Sequence, residues 1–185
     1  MNSNQTILAI VGMPGAGKSA AAEYFSKKSY PVIRFGAVTD EGLKQKGLAI
    51  NPENEKAFRE KLRQELGMAA YAIKIESQIN EALSRSRLVI LDGLYSWEEF
   101  AYLKDKFAGL KLLAVYAMPA VRFKRLRQRK IRPLSQVQAQ ERDVAEIVNL
   151  NKGGPIAMAD FLVTNNTDEA SLFKQLDQVL VAVND

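Results

Sequence analysis

Short runs of consecutive apolar residues alternate along the chain with longer segments in which apolar residues recur every three or four positions. The short runs are typical of strands that are buried on both faces of a parallel sheet. They lie at residues 7–11, 31–35, 88–91, 112–117 and 161–163. Because such strands alternate with helical patterns, the chain is predicted to have an α/β fold, a three-layer α/β/α sandwich around a parallel five-stranded sheet.

The helical patterns divide the rest of the chain. Helices are predicted at residues 18–28, 53–86, 96–107 and 135–149, after Pro119, and after an N-cap at Asp168, with a break near Gly67 in the second of them. Residues 36–52 contain several glycines and polar residues and are predicted to form a loop. No composition shift or low-complexity linker divides the chain, so residues 1–185 are expected to form a single domain.

Between the first strand and the first helix lies Gly-Met-Pro-Gly-Ala-Gly-Lys-Ser, which fits the P-loop pattern G-x-x-x-x-G-K-[ST]. Glycines let successive backbone N–H groups approach an oxyanion, and the helix N-terminus adds the positive end of its dipole. Lys18 is expected to reach the β- and γ-phosphates of a nucleotide, and Ser19 to ligate Mg²⁺. The residues predicted to bind the nucleotide here are Gly12, Met13, Pro14, Gly15, Ala16, Gly17, Lys18, Ser19 and Ala20.

Asp92 stands at the carboxyl end of the third buried strand and is followed by Gly93. P-loop enzymes place there the carboxylate that orients Mg²⁺ and its waters, so Ser19 and Asp92 are the predicted metal ligands. The alternative is an ordinary turn at the end of the strand, since Asp-Gly is a common turn dipeptide.

Composition narrows the chemistry that the chain can perform. There are no cysteines and no histidines, which excludes disulfides, thiolate or imidazole metal ligands and a histidine base. The first apolar run is too short for a signal peptide or a membrane span, and the protein is expected to be cytoplasmic. The net charge of +5 suits an anionic ligand, either a nucleotide or a nucleic acid.

Much of the positive charge lies in residues 122–132. On a helix, Arg122, Arg125 and Arg129 would share one face and could close over the reacting phosphates. The same segment could instead bind a nucleic-acid backbone, although a single interleaved aromatic serves base stacking poorly, or it could be a solvated surface. Arg142 next to Asp143 could add another arginine or form a surface ion pair.

The segment before the last helix contains Asn165 and Asn166 directly after a predicted strand. Their backbone and amide groups could bind a nucleobase, but Asn pairs are also common in turns. The residues alone do not decide between these readings.

Taken together, the P-loop, Asp92-Gly93, the Arg125-Leu126-x-x-Arg129 run and the stretch from Ala159-Asp160 to Asn165-Asn166 resemble the nucleoside-monophosphate-kinase branch of P-loop proteins. The resemblance covers nearly the whole chain and is strongest to dephospho-coenzyme A kinase and an adenylate-kinase-related group. It implies an ATP-dependent kinase that uses Mg²⁺. It also implies a helical acceptor-side insertion at about residues 36–86, a lid at about 119–150 and an adenine pocket near Asn165 and Asn166.

The acceptor half departs from that pattern. Adenylate-kinase-like relatives have Gly-Asp-x-x-Arg where this chain has Gly36 to Asp40, so Asp40 replaces the phosphate-binding arginine. Tyr95 stands where the relatives often have a second arginine, and the aspartate base of dephospho-coenzyme A kinases has no clear counterpart at residues 34–36.

The leading hypothesis is therefore a small-molecule kinase with Lys18, Asp92, Arg125 and Arg129 as catalytic residues and Arg122, Asn165 and Asn166 in nucleotide binding. Its partners would be ATP and a nucleotide-like or coenzyme A-precursor acceptor bound between residues 34–60 and Tyr95. The alternatives are an ATP-binding switch without an acceptor and, less favoured, a nucleic-acid-associated ATPase.

Overall fold

A computed structural model describes residues 5–184. The polar segment at residues 1–5 therefore lies almost wholly outside the described residues, as does residue 185. The strands are β1 (Thr6–Val11), β2 (Val32–Arg34), β3 (Leu88–Asp92), β4 (Leu110–Tyr116) and β5 (Phe161–Thr164). The helices are α1 (Lys18–Lys27), α2 (Phe35–Gln45), α3 (Pro52–Leu66), α4 (Ala70–Arg85), α5 (Trp97–Lys106), α6 (Pro119–Arg127), α7 (Gln136–Leu150), α8 (Gly153–Ala157) and α9 (Glu169–Asn184).

The five strands form one parallel sheet in the order β2-β3-β1-β4-β5. The strand that leads into the P-loop is central, between β3 and β4, and Ile10 pairs in register with Asp92. Parallel neighbours end at the same edge, so the P-loop and Asp92 lie at one carboxyl edge of the sheet. The predicted parallel five-stranded α/β fold is confirmed.

Both faces of the sheet are covered because the central strand β1 is apolar and buried from Ile7 to Val11. Ile7, Ala9 and Val11 of β1 pack on the face covered by α4 and α5, together with buried residues of α2 and α3. Leu8 and Ile10 pack on the opposite face, which α1 and α9 cover. This double burial holds β1 rigidly and fixes the position from which the P-loop departs.

The predicted cap Asp168 begins its helix as expected, and Ser96 and Ser135, the predicted helix starts, also prove to be caps. The Asp168 side chain accepts a hydrogen bond from the backbone N–H of Ser171 at 2.8 Å, just before α9. Ser96 caps α5 in a capping box with Glu99, and Ser135 caps α7 in the same way with Gln138.

The predicted loop at residues 36–52 is wrong in its first half, where α2 lies. Phe35, Thr39 and Leu43 are buried at helical spacing on this element, and their packing outweighs the low helix propensity of Gly36 and Gly42. The short helix α8 was not predicted, because its Gly-Gly-Pro opening is typical of a turn. Within residues 5–184, no helix is both long enough and apolar enough to cross a bilayer.

Candidate active site

The P-loop adopts a compact conformation that only glycine permits at two of its positions. Gly12 has φ +145°, and a Cβ there would lie 2.4 Å from the carbonyl oxygen of Val115 on β4. Gly17 has φ +108°, and a Cβ there would lie 2.0 Å from Nδ2 of Asn165. The loop is therefore pressed against the neighbouring strand end and the segment after β5, which explains why the motif needs glycine at these points.

The Lys18 side chain turns back onto its own loop. Its Nζ donates hydrogen bonds to the carbonyl oxygens of Gly12 at 2.8 Å and Met13 at 3.3 Å. Burial of the ammonium group and then the positive charge of Lys152 lower the pKa of Lys18 to about 7, although the charges of Glu146 and Asp92 oppose the change. The structure thus surrounds Lys18 with charged groups from β3 and from the segment 142–152.

Ser19 follows Lys18 in α1, and Asp92 ends β3 near enough to Lys18 for their charges to interact. Ser19 is exposed at the start of α1, and Asp92 is partly buried at the end of β3. Burial raises the pKa of Asp92, while the charges of Lys18 and Arg34 act in the other direction. One hydroxyl and one carboxylate form a donor set that suits Mg²⁺, which keeps several waters and takes its remaining ligands from substrate phosphates.

Arg122 is buried and tied to three parts of the fold. Its guanidinium donates to the carbonyl oxygens of Ala117 at 3.2 Å and Pro14 at 3.0 Å. It also forms two hydrogen bonds with the Asp143 carboxylate, at 2.9 and 2.6 Å. Every branch of the guanidinium is thus engaged within the protein, and Arg122 joins the P-loop to helix α7.

Arg125 and Asn165 form a second brace on the P-loop. The two terminal nitrogens of Arg125 donate to the backbone and side-chain oxygens of Asn165, at 2.8 and 3.2 Å. The side-chain nitrogen of Asn165 in turn donates to the carbonyl of Ala16 at 2.9 Å. The amide oxygen of Asn166 accepts a hydrogen bond from the backbone N–H of Met118. Both asparagines therefore use their side chains to connect chain segments around the loop.

The expectation that Arg122, Arg125 and Arg129 share one helix face is wrong, because α6 ends at Arg127. Arg129 lies beyond the helix, where burial and then the nearby charge of Arg142 lower its pKa. Of the two alternatives for Arg142 and Asp143, the surface ion pair between them does not form. Asp143 pairs with Arg122, and Arg142 donates from Nε to Glu146 at 3.1 Å. The arginine whose charge lies near Arg129 is therefore Arg142 of helix α7.

The sequence interpretation missed Lys152 and Glu146. Lys152 is 1% exposed, forms an ion pair with Glu146, and places its ammonium nitrogen 5.3 Å from the centre of the Tyr95 ring. Burial acts to raise the pKa of Glu146, but the charges of Lys152, Arg142 and Lys18 together lower it. A lysine in a Gly-rich segment carries no motif signal, and only the fold reveals that it faces the P-loop lysine.

A cavity of about 820 Å³ opens beside this cluster. Its wall is formed by the end of β2, by α2 and α3, by Tyr95, and by residues of the segment 132–150. The volume lies in the range typical of sites for small organic ligands. An ion pair of Arg132 with Glu55, with hydrogen bonds of 2.8 and 2.6 Å, joins the two sides of the cavity.

Comparison with known proteins places this geometry in a family. The family model AAA_18, described as an AAA domain, matches residues 8–149. The chain is 37% identical over 177 residues to the UPF0200 protein MJ1399 of Methanocaldococcus jannaschii, a match that covers 94% of this chain and 88% of that protein. The chain belongs to the UPF0200 family.

Solved structures share the fold of this chain at low sequence identity. TT1252 from Thermus thermophilus superposes with a TM-score of 0.70 at 20% identity, over 97% of this chain and 98% of that one. Dephospho-CoA kinase from Campylobacter jejuni superposes with a TM-score of 0.60 at 15% identity, over 96% of each chain. The fold is that of P-loop kinases, as the resemblance of the sequence implied.

Proposed function

We propose that this protein is an ATP-dependent kinase that transfers the γ-phosphoryl group to a small-molecule acceptor. The observation that carries the proposal is that residues lining the cavity belong to the charged cluster around Lys18 and Asp92. Glu146 lines the cavity, and its charge raises the pKa of Lys18. Tyr95 also lines the cavity, and its pKa is raised first by burial and then by the nearby charge of Asp92. This shared cluster supports the proposal that the acceptor binds in the cavity, near the phosphates held by the P-loop.

In this proposal the P-loop backbone and Lys18 bind the phosphates of ATP. Lys18 would exchange the carbonyl oxygens of Gly12 and Met13 for phosphate oxygens, which carry more negative charge. Ser19 and Asp92 would hold Mg²⁺, which would neutralise charge on the β- and γ-phosphates. The donor set and its position at the carboxyl edge of the sheet support this assignment.

The arginines divide into two proposed roles. Arg129 and Arg142, whose charges lie near each other, would stabilise the charge of the transferring phosphoryl group. Arg122, Arg125 and Asn165 would position the P-loop, because their polar groups already bind it or one another. We propose residues 119–150 as a lid over the phosphates and residues 36–86 as the acceptor side.

The transfer itself needs few protein groups. The acceptor hydroxyl oxygen forms a bond to the γ-phosphorus while the bond from that phosphorus to the β–γ bridging oxygen breaks, ADP leaves, and the hydroxyl proton is released. Because the transition state is loose, a strong base is not required, and Asp92 is the carboxylate that we propose to lie closest to this proton.

The test is ADP formation in the presence of Mg²⁺, ATP and a panel of acceptors that includes dephospho-coenzyme A and each nucleoside monophosphate. One acceptor should raise turnover and gain a phosphate, detected by mass spectrometry. Lys18→Ala should lower that turnover by several orders of magnitude, whereas Lys27→Ala, an exposed lysine of the same helix that pairs with Glu23, should not.

Three results would count against the kinase proposal. Full acceptor-dependent turnover in Lys18→Ala would remove the P-loop from the chemistry. Tight ATP binding without stimulation by any acceptor would favour the nucleotide-dependent switch, and salt-dependent oligonucleotide binding would favour the nucleic-acid-associated ATPase.

A further inference from the structure

The cavity beside the P-loop carries more positive than negative charge. Its cationic lining residues are Arg34, Lys56, Arg59, Arg63, Arg132 and Arg142. Its carboxylates are Asp40, Glu55, Glu60 and Glu146. An excess of cations in a concave, partly desolvated wall attracts an anionic ligand more strongly than the same charges on an open surface.

Each carboxylate of the wall already has a cationic partner. Asp40 pairs with Arg34, and the Glu60 carboxylate lies 3.8 Å from the Lys56 ammonium. Glu146 pairs with both Arg142 and Lys152. These pairs leave Arg59, Arg63 and Arg132 to be balanced by Glu55 alone.

Glu55 forms its ion pair mainly with Arg132. Arg132 binds both Glu55 oxygens, at 2.8 and 2.6 Å, whereas Arg59 approaches one of them at only 3.5 Å. Among residues 5–184, no carboxylate lies within salt-bridge distance of Arg63. The surplus positive charge is therefore carried by Arg63 and, in part, by Arg59.

Arg63 also has a buried donor without a partner. Its Nε is buried and makes no hydrogen bond with any residue that the structure describes. The guanidinium lies 5.7 Å from the centre of the Tyr71 ring, and that contact compensates only part of the cost of burying the charge. Buried donors are nearly always satisfied in folded proteins, so this unsatisfied Nε shows that the protein itself does not satisfy the Arg63 guanidinium.

Glu99 is near enough to Arg63 for their charges to interact but forms no salt bridge with it. Its Oε1 is itself buried without a partner, and its Oε2 accepts the backbone N–H groups of Tyr95 and Ser96. Burial raises the pKa of Glu99 to about 7, with Arg63 and Lys152 only partly offsetting the change. Glu99 therefore caps α5, and the positive charge of Arg63 remains available to a ligand in the cavity.

The two arginines are placed to act together. Arg59 and Arg63 are four residues apart on α3, so they lie on one face of that helix. Beside them, the hydroxyl of Tyr71 is 2.7 Å from that of Thr39, and all four residues line the cavity. Two guanidinium groups and a hydroxyl donor form a corner suited to a carboxylate or a phosphate.

We infer that the acceptor carries an anionic group, a carboxylate or a phosphate, that binds to Arg59 and Arg63 while its hydroxyl faces the P-loop. This inference rests on the proposed function, since it names the class of molecule that the kinase would phosphorylate. It also explains how the acceptor site can work with Asp40 in place of the arginine expected there. Arg34 forms an ion pair with Asp40, and α3 supplies the anion-binding side chains.

The test measures anion binding without turnover. The protein is saturated with Mg²⁺ and a non-hydrolysable ATP analogue, so that the γ-phosphate position is filled, and is titrated in a calorimeter with inorganic phosphate and separately with malonate. Wild type should bind at least one of them. Arg63→Gln and Arg59→Gln should weaken that binding by about ten- to a hundredfold, the cost of losing a charged hydrogen-bonding partner.

Arg85→Gln is the matched control, because Arg85 is an exposed helical arginine that pairs with Glu81 outside the cavity, and it should bind as wild type does. Arg63→Gln should not lower the melting temperature, since its Nε has no hydrogen bond to lose. Binding of phosphate alone assigns a phosphate group to the acceptor, and binding of malonate alone assigns a carboxylate.

Unchanged binding in Arg63→Gln, or no binding of either anion to wild type, would overturn the inference. A lower melting temperature with unchanged binding would show that Arg63 has a structural role instead. Anion binding that depends on Arg63 in a protein that phosphorylates no acceptor would refute the proposed function and leave the anion site standing.

Discussion

Nucleotide binding should pull a proton onto Lys18. In the free protein its ammonium group is buried against two P-loop carbonyls and close to Lys152, and its pKa is about 7. Phosphate oxygens bring several negative charges within hydrogen-bonding distance, which favours the charged lysine. The bound pKa should therefore lie well above 8.

The size of the effect follows from the free-state value. With a pKa of about 7, about 0.1 of the lysine is protonated at pH 8 and about 0.9 at pH 6. Full protonation in the complex then requires an uptake of about 0.9 proton at pH 8 and only about 0.1 at pH 6. Affinity linked to this proton should fall as the pH rises above 7, because the free protein must then acquire the proton in order to bind.

Calorimetric titration with a non-hydrolysable ATP analogue and Mg²⁺ measures this uptake. The apparent enthalpy, plotted against the ionisation enthalpy of several buffers at pH 8, should have a slope of about 0.9, from the protonation fraction above. Lys18→Arg is the control, because arginine stays charged at every pH used and takes up no proton. A slope below about 0.3 in wild type, or an equal slope in Lys18→Arg, would refute this account of the site.

Two further substitutions test the supports of the P-loop. Gly17→Ala should weaken nucleotide binding by about tenfold, because the new Cβ would meet the Asn165 amide and strain the backbone. The control is Gly47→Ala, which has φ +66° but open space around it and should bind the nucleotide normally. Equal losses of affinity in the two variants would show that only backbone strain matters. Asp143→Ala should cost about 3 kcal/mol of the free energy of unfolding by leaving the buried Arg122 charge unpaired, which corresponds to a fall of about 6–12 °C in Tm for a chain of this size. Glu81→Ala removes the partner of the exposed Arg85 and should change little in the same thermal melt; a loss no larger for Asp143→Ala would contradict the buried-pair reasoning.

The parts of the fold that follow local rules were predictable from the sequence. The central strands β1 and β3 are nearly continuous buried apolar runs, and the caps at Ser96, Ser135 and Asp168 satisfy nearby backbone N–H groups. The P-loop and Asp92 were found in the same way, because the motif fixes its own neighbours along the chain and parallel strands bring their carboxyl ends together.

Features that depend on tertiary packing were not predictable in this way. Helix α2 forms despite its glycines, because Phe35, Thr39 and Leu43 bury one face; their four-residue spacing was the signal available in the sequence. The end of α6 at Arg127 left Arg129 off the expected face. The partners Asp143 for Arg122 and Glu146 for Lys152 are set by how α7 lies against the rest of the fold.

Helix α7 holds adjacent residues that serve different halves of the molecule. Asp143 is tied through Arg122 to Pro14 in the P-loop, and Arg142, the residue before it, lines the cavity. A ligand in the cavity that shifts this helix would also displace the P-loop, and a ligand in the P-loop would displace the helix. We expect the two proposed ligands to be coupled through this helix, and thermodynamic reciprocity would then require each ligand to change the affinity of the other by the same factor.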